Sequence, residues 1–193
     1  MLFRSEIVIQ VDQANTTEEV LKVVSEFESL YISPNSRSKK MAVSVTKAFS
    51  ELRGNFADFK NNLKKNCSKD WIFFIDADEE VNKDQIDLIR QVIELNPTWD
   101  CYLVPRINTV AGLTQEHIGK WGWRVDEKQR INFPDYQYRI CQNTPEIKWV
   151  GAVHERLDGY RNMALLPADD VYALGHHKTI QKQEKQNEFY SNL

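Results

Sequence analysis

A chain of 193 residues, 41% hydrophobic and 27% charged, has the make-up of an ordinary soluble globular protein and is long enough to bury a core. Its net charge of -3 argues against a broad nucleic-acid-binding face, and no stretch has the length of a membrane span or the apolar run of a secretory leader. Cys67, Cys101 and Cys141 are odd in number, widely spaced and without Cys-x-x-Cys, which disfavours a disulfide framework or a thiolate zinc site and makes the cytoplasm the expected compartment.

Glu6 to Val11 is β-branched and reads as a strand ending at Asp12, followed by the polar turn Gln13 to Thr16. Thr16-x-x-Glu19 has the form of a capping box, and Val20, Val23, Val24 and Phe27 recur at helical spacing, so the chain opens like a βαβ unit. Pro34 to Lys40 is a polar, basic loop, and Val43 and Val45 favour a strand over Met41 to Phe49. Asn55 to Lys65 reads as a helix with Phe56, Phe59 and Leu63 on one face and its basic residues in solvent.

Ile72 to Ile75 is a short apolar run expected to be a strand buried on both faces, and Asp76 and Asp78 stand at its carboxyl end, where ligands of parallel sheets gather. Two carboxylates so close stay ionised only with a cation or strong donors between them, and hard oxygen ligands suit Mg²⁺ or Mn²⁺ carrying a diphosphate. The competing reading is a solvated acidic turn before the next helix. Asn82-Lys-Asp-Gln85 forms a second capping box, with Ile86, Ile89 and Ile93 facing inward as far as Asn96-Pro97.

Cys101 to Val104 is another short strand. Ile107 to Pro134 has no sustained period, so a functional or a disordered loop is expected, and its Trp121-Gly-Trp123 suits stacking on a sugar ring or an interface, with a hairpin packed over the core edge as the alternative. Asp135 to Cys141 alternates like a half-buried strand. Ile147 to Val150 leads into a glycine turn and His154-Glu155, and Asp169 to Leu174 reads as a strand running into Gly175-His176-His177-Lys178. On an extended backbone the two histidines face opposite ways. Thr179 to Leu193 closes the chain as a polar surface helix, and no repeat or second domain interrupts residues 1–193.

Taken in order, these parts resemble the family-2 glycosyltransferases of the GT-A fold. Glu6 to Thr17 is similar to the family's second strand and its Asp-Thr-Gly-Ser-Thr-Asp turn, and Phe56-Ala-Asp-Phe-Lys60-Asn61 to its Phe-Ser-x-x-Arg-Asn helix. Asp70-Trp-Ile-Phe-Phe-Ile-Asp76-Ala-Asp78-Glu79 is similar to the Asp-Trp-(apolar)-Asp-Ala-Asp-Glu segment, Trp149-Val-Gly151-Ala-Val153-His154-Glu155 to Trp-x-Gly-x-Val-His-Glu, and Gly175-His176-His177-Lys178 to the C-terminal His-Tyr-Lys. The family's first strand and Asn-Glu-Glu loop have no counterpart before Glu6, so the resemblance is to an N-terminally shortened form.

The resemblance implies one α/β, Rossmann-like domain with a mostly parallel mixed sheet flanked by helices. It implies transfer of a sugar from a nucleotide-diphosphate sugar, UDP favoured, to a glycan, lipid-linked or small-molecule hydroxyl. Asp78 and His176 would hold Mn²⁺ or Mg²⁺, with Asp76 on the ribose or a metal-bound water. Asp12, Asn15, Lys60, Asn61, Asp76, Arg106 and Arg139 would line the donor, and Glu155, or second Asp135, would be the base. A homo-oligomer is compatible with this reading. Two alternatives stay open: a sugar-nucleotide or glycan-binding module without turnover, and a phosphohydrolase of the haloacid dehalogenase type with Asp76 as nucleophile.

Overall fold

The computed structural model describes residues 5–32 and 43–191, so the loop expected over 34–40 and the first residues of the 41–49 segment lie outside the described residues. The chain divides into two compact units, Met1–Ile72 with Cys141–Tyr160, and Phe73–Ile140 with Arg161–Leu193.

In the first unit β1 (Glu6–Asp12) and β2 (Ser44–Ser50) pair in parallel, Glu6 opposite Ser44 and Asp12 opposite Ser50. Helix α1 (Glu18–Ile32) lies between them in sequence. It begins one residue later than the capping pattern suggests, and the Glu19 carboxylate is hydrogen-bonded by the Thr17 side chain. Of its expected apolar face, Val24 and Phe27 are partly covered, while Val20 and Val23 are exposed. A two-stranded ribbon is too narrow to cover a full helical stripe. Helix α2 (Phe56–Lys65) starts at Asn55, whose side chain accepts from Asp58 N–H. It packs on β6 (Lys148–Val150), which pairs antiparallel with β7 (Arg156–Asp158).

The larger sheet has the order β3 (Trp71–Phe73), β5 (Ile131–Gln142), β4 (Cys101–Ala111), β8 (Met163–Leu165), with β9 (Leu174–Thr179) also on β4. Both β8 and β9 run parallel to β4, β8 along Cys101 to Leu103 and β9 along Arg106 to Ala111. Helices α3 (Gln85–Leu95), α4 (Gln115–Trp121) and α5 (Ile180–Ser191) complete the unit. No helix among the described residues is long and apolar enough to cross a membrane.

Four expectations are corrected in detail. The apolar run is extended only through Trp71–Phe73; Ile72 and Phe74 are buried but Ile75 is exposed. Helix α3 buries Gln85 and Ile89 and turns Ile86 outward, because the Gln85 amide ties the helix start to the backbones of Asn82 and Tyr172. Ile107 to Pro134 is not irregular: β4 runs on to Ala111, Thr114 caps α4, and β5 already begins at Ile131. Asp169 to Tyr172 is a turn, not a strand, since the Asp169 carboxylate accepts from Val171 N–H and its carbonyl from Tyr172 N–H.

Candidate functional site

The second unit builds a polar site on one face of its sheet by the period-two rule of strands. β5 contributes Asp135, Gln137 and Arg139, β4 contributes Arg106 and Asn108, and β9 contributes His176 and Lys178. Register fixes the pairing, since Asn108 lies opposite His176 and Thr109 opposite His177. His176 and Lys178 are buried while His177 is exposed, as their alternation requires.

The turn after β3 closes over this face. Glu79 N–H donates to the Asp76 carbonyl, Asp76 N–H to the Glu79 carboxylate, and Glu80 and Gly175 exchange both backbone bonds. A Cβ on Gly175 would stand 3.0 Å from His177 Nε2 and 3.4 Å from the Glu80 Cβ, so a bare backbone suits this close approach.

An unbroken chain of contacts then runs from Asp76 round to Asp78. Arg139 Nη2 donates to Asp76 at 2.6 Å and, with Nε, to both oxygens of Glu79 at 2.6 and 3.0 Å. Arg106 reaches the same Glu79 at 3.3 Å and holds Asp135 through Nε and Nη2 at 3.0 and 2.8 Å. Asn108 donates to Asp135 at 2.8 Å, and its carbonyl oxygen meets His176 Nδ1 at 2.6 Å. His176 Nε2 faces Asp78 Oδ2 at 3.3 Å, and Lys182 of α5 reaches that oxygen at 3.4 Å.

This order assigns the proton on His176. Because the Asn108 amide N–H is used on Asp135, its oxygen accepts, so Nδ1 carries a hydrogen. With a proton also on Nε2 the pair with Asp78 is an ion pair; without it two acceptors face each other, an arrangement that a divalent cation satisfies. The hydrogen bond from His176 holds the Asp78 carboxyl far below the usual carboxylate range; partial burial opposes this, and the charges of His176, Lys178 and Lys182 add to it. Burial would push Asp135 up, but the Arg106 charge and hydrogen bonds from Asn108, Arg106 and Gln137 prevail and leave it lowered. Burial lowers Lys178, whose ammonium donates to Gln186.

Asp76, Asp78, Arg106, Asp135, Arg139 and His176 are thus brought together. Among the described residues no three His, Cys, Asp or Glu side chains form a metal cage, and Asp76 is engaged by Arg139, so Asp78 and His176 are the donors that fit a cation. Sequence reasoning missed Glu79 as the buried pivot, along with Asn108, Lys178 and Lys182. The Asp-Glu pair after Asp76 and the alternation around His176 were the available signals for Glu79 and Lys178. The Asn108 contact depends on a register between segments 68 residues apart.

The remaining expected residues belong to the first unit. Asp12 accepts from Asn15 Nδ2 at 2.7 Å and from the backbones of Ala14 and Leu52, and the Asn15 bond keeps its carboxyl below the usual range. Lys60 is buried rather than solvated, paired with Glu155 at 2.7 Å and lying over the Trp149 ring at 4.7 Å. Asn61 spends its amide on the Trp149 backbone, donating at 2.8 Å and accepting at 2.9 Å.

No protein-family model and no curated protein matches the chain. Among solved structures, the crystal structure of S. aureus TarS 1-349, a glycosyltransferase, is similar, with a TM-score of 0.53 and 11% identity over 91% of this chain. The chain spans 60% of the length of that structure. At that identity the likeness shows a shared α/β fold and nothing finer.

Two outcomes are expected. The Glu79 side chain is fully buried between two guanidinium groups, so Glu79→Gln should cost about 3–5 kcal/mol in urea unfolding by leaving buried charge uncompensated. Asp135 is lower in the folded than in the unfolded chain, where its value is near 3.8, so its stabilisation is present above that value and lost as pH falls through the folded one. The stability gap between wild type and Asp135→Asn, followed by urea unfolding from about pH 6 down to about pH 3, should therefore shrink as the pH drops.

Proposed function

We propose that this chain is a metal-dependent glycosyltransferase that moves a sugar from a nucleotide-diphosphate sugar, UDP favoured, to a hydroxyl acceptor. The observation that carries the reading is the facing pair Asp78 and His176, with the Nδ1 hydrogen of His176 directed to Asn108 and its Nε2 turned to the carboxylate. A histidine oriented by an outer hydrogen bond is the usual form of an imidazole metal ligand. Mn²⁺ or Mg²⁺ bound there would offset the charge that gathers on the leaving diphosphate.

The chain's own groups divide the remaining tasks. Asp78 and His176 hold the cation. Asp76, fixed by Arg139, presents its carboxylate to the donor ribose. Arg106 and Arg139 are spent on Glu79, Asp76 and Asp135, so Lys178 and Lys182, which flank Asp78, are better placed than either arginine to meet diphosphate oxygens. As a proton acceptor Asp135 is handicapped, since Arg106, Asn108 and Gln137 all donate to it. Glu155, whose carboxylate meets the Lys60 ammonium at 2.7 Å, is the preferred base. The phosphohydrolase reading needs Asp76 as an open nucleophile, and its Oδ2 lies 2.6 Å from Arg139.

Isothermal titration tests the donor site. UDP should bind with Mn²⁺, lose affinity in EDTA, and bind Asp78→Ala at least about tenfold more weakly, the loss expected when a metal ligand goes. UDP binding that ignores both EDTA and the substitution would overturn the reading.

A further inference from the structure

Three aromatic rings follow β4 outside the network above. Thr114 accepts from His117 N–H while its own N–H donates to His117 Nδ1, which pins the imidazole at the start of α4. That ring stacks on Trp121, with centroids 5.1 Å apart and planes 19° apart. Gly122, at φ 64, then turns the chain so that Trp123 comes back against Trp121 at 4.6 Å, tilted by 51°. His117 Nε2, which carries the proton in this arrangement, faces Glu184 of α5 at 3.7 Å.

The stack is held at its root and open at its edge. All three residues are only partly buried. Among the described residues neither the Trp121 nor the Trp123 indole N–H has a protein partner, and neither is sealed from solvent. Tryptophan used as core usually buries its ring and satisfies that donor. A stack of part-exposed rings whose indole donors have no protein partner among the described residues matches a ligand with C–H groups on one face and hydroxyls around its rim. A pyranose ring has that form. Helix α5 connects the stack to the cation site, because Lys182 reaches Asp78 and Glu184, two residues on, faces His117.

We propose that Trp121 and Trp123 form a carbohydrate platform that takes a pyranose unit of a glycan acceptor. The word acceptor rests on the transferase reading; binding of carbohydrate does not. The ring faces supply stacking, the indole N–H groups donate to hydroxyl oxygens, and the Thr114 cap with Glu184 keeps His117, and so the stack, in place.

The chain has five tryptophans, so five indole N–H signals report the site in a ¹⁵N-resolved spectrum. On titration with cellotetraose or chitotetraose, the signals of Trp121 and Trp123 should move while those of Trp71, Trp99 and Trp149 stay. Trp123→Ala should weaken that binding about tenfold and leave Mn²⁺-dependent UDP binding as in the wild type. No movement with either sugar, equal binding by Trp123→Ala, or broadening of these signals with protein concentration alone would overturn the platform, the last marking a contact between copies. Sugar-induced shifts with no UDP binding would support the platform and count against the transferase reading instead.

Discussion

The second unit depends on a carboxylate that water cannot reach. Glu79 has a fully buried side chain, and a charge so placed is tolerated only when its lone pairs are filled by equally well placed donors. Arg139 fills both oxygens and Arg106 shares one, and each guanidinium then has donors left for a second carboxylate, Asp76 and Asp135 respectively. Planar guanidinium groups suit this bridging, which a lysine could not reproduce. The turn after β3 is thereby joined to β4 and β5, and Asp78 is carried into position opposite His176.

The charges of this cluster balance in a way that bears on function. Four carboxylates, Asp76, Asp78, Glu79 and Asp135, meet four basic side chains, Arg106, Arg139, Lys178 and Lys182, beside the His176 imidazole. With His176 neutral the cluster has no net charge. A divalent cation would then add two positive charges, and these match what a diphosphate brings. The burial is uneven: Arg139 and Glu79 are sealed in, whereas Lys182 and Asp78 lie toward solvent. The interior half is scaffold, and the open half is where a ligand can exchange.

Much of this was legible in the amino-acid order. The apolar run before Asp76 marked the acidic turn, the alternation Asp135, Gln137, Arg139 marked one face of β5, and two adjacent histidines had to point apart. What escaped was non-local. The extension of β4 was masked by Pro105, Arg106, Asn108 and Thr109, polar or strand-breaking residues whose presence makes sense only once two of them are seen facing the site. Glu79 looked like one of four solvated acids, because nothing adjacent to it in sequence reveals the arginines 27 and 60 residues away. The helical position of Lys60 suggested a solvated basic face and the family resemblance a place beside the donor; its burial follows from Glu155 and the Trp149 ring, which come from a distant segment.

The central claim is that Asp78 and His176 share one divalent cation. It is tested most directly by a crystal structure with UDP and Mn²⁺, read from the anomalous signal of manganese. The account predicts a peak at bonding distance from both the Asp78 carboxylate and His176 Nε2, with His176 Nδ1 still on Asn108. A manganese peak bound elsewhere, with Asp78 and His176 still paired directly to each other, would contradict it.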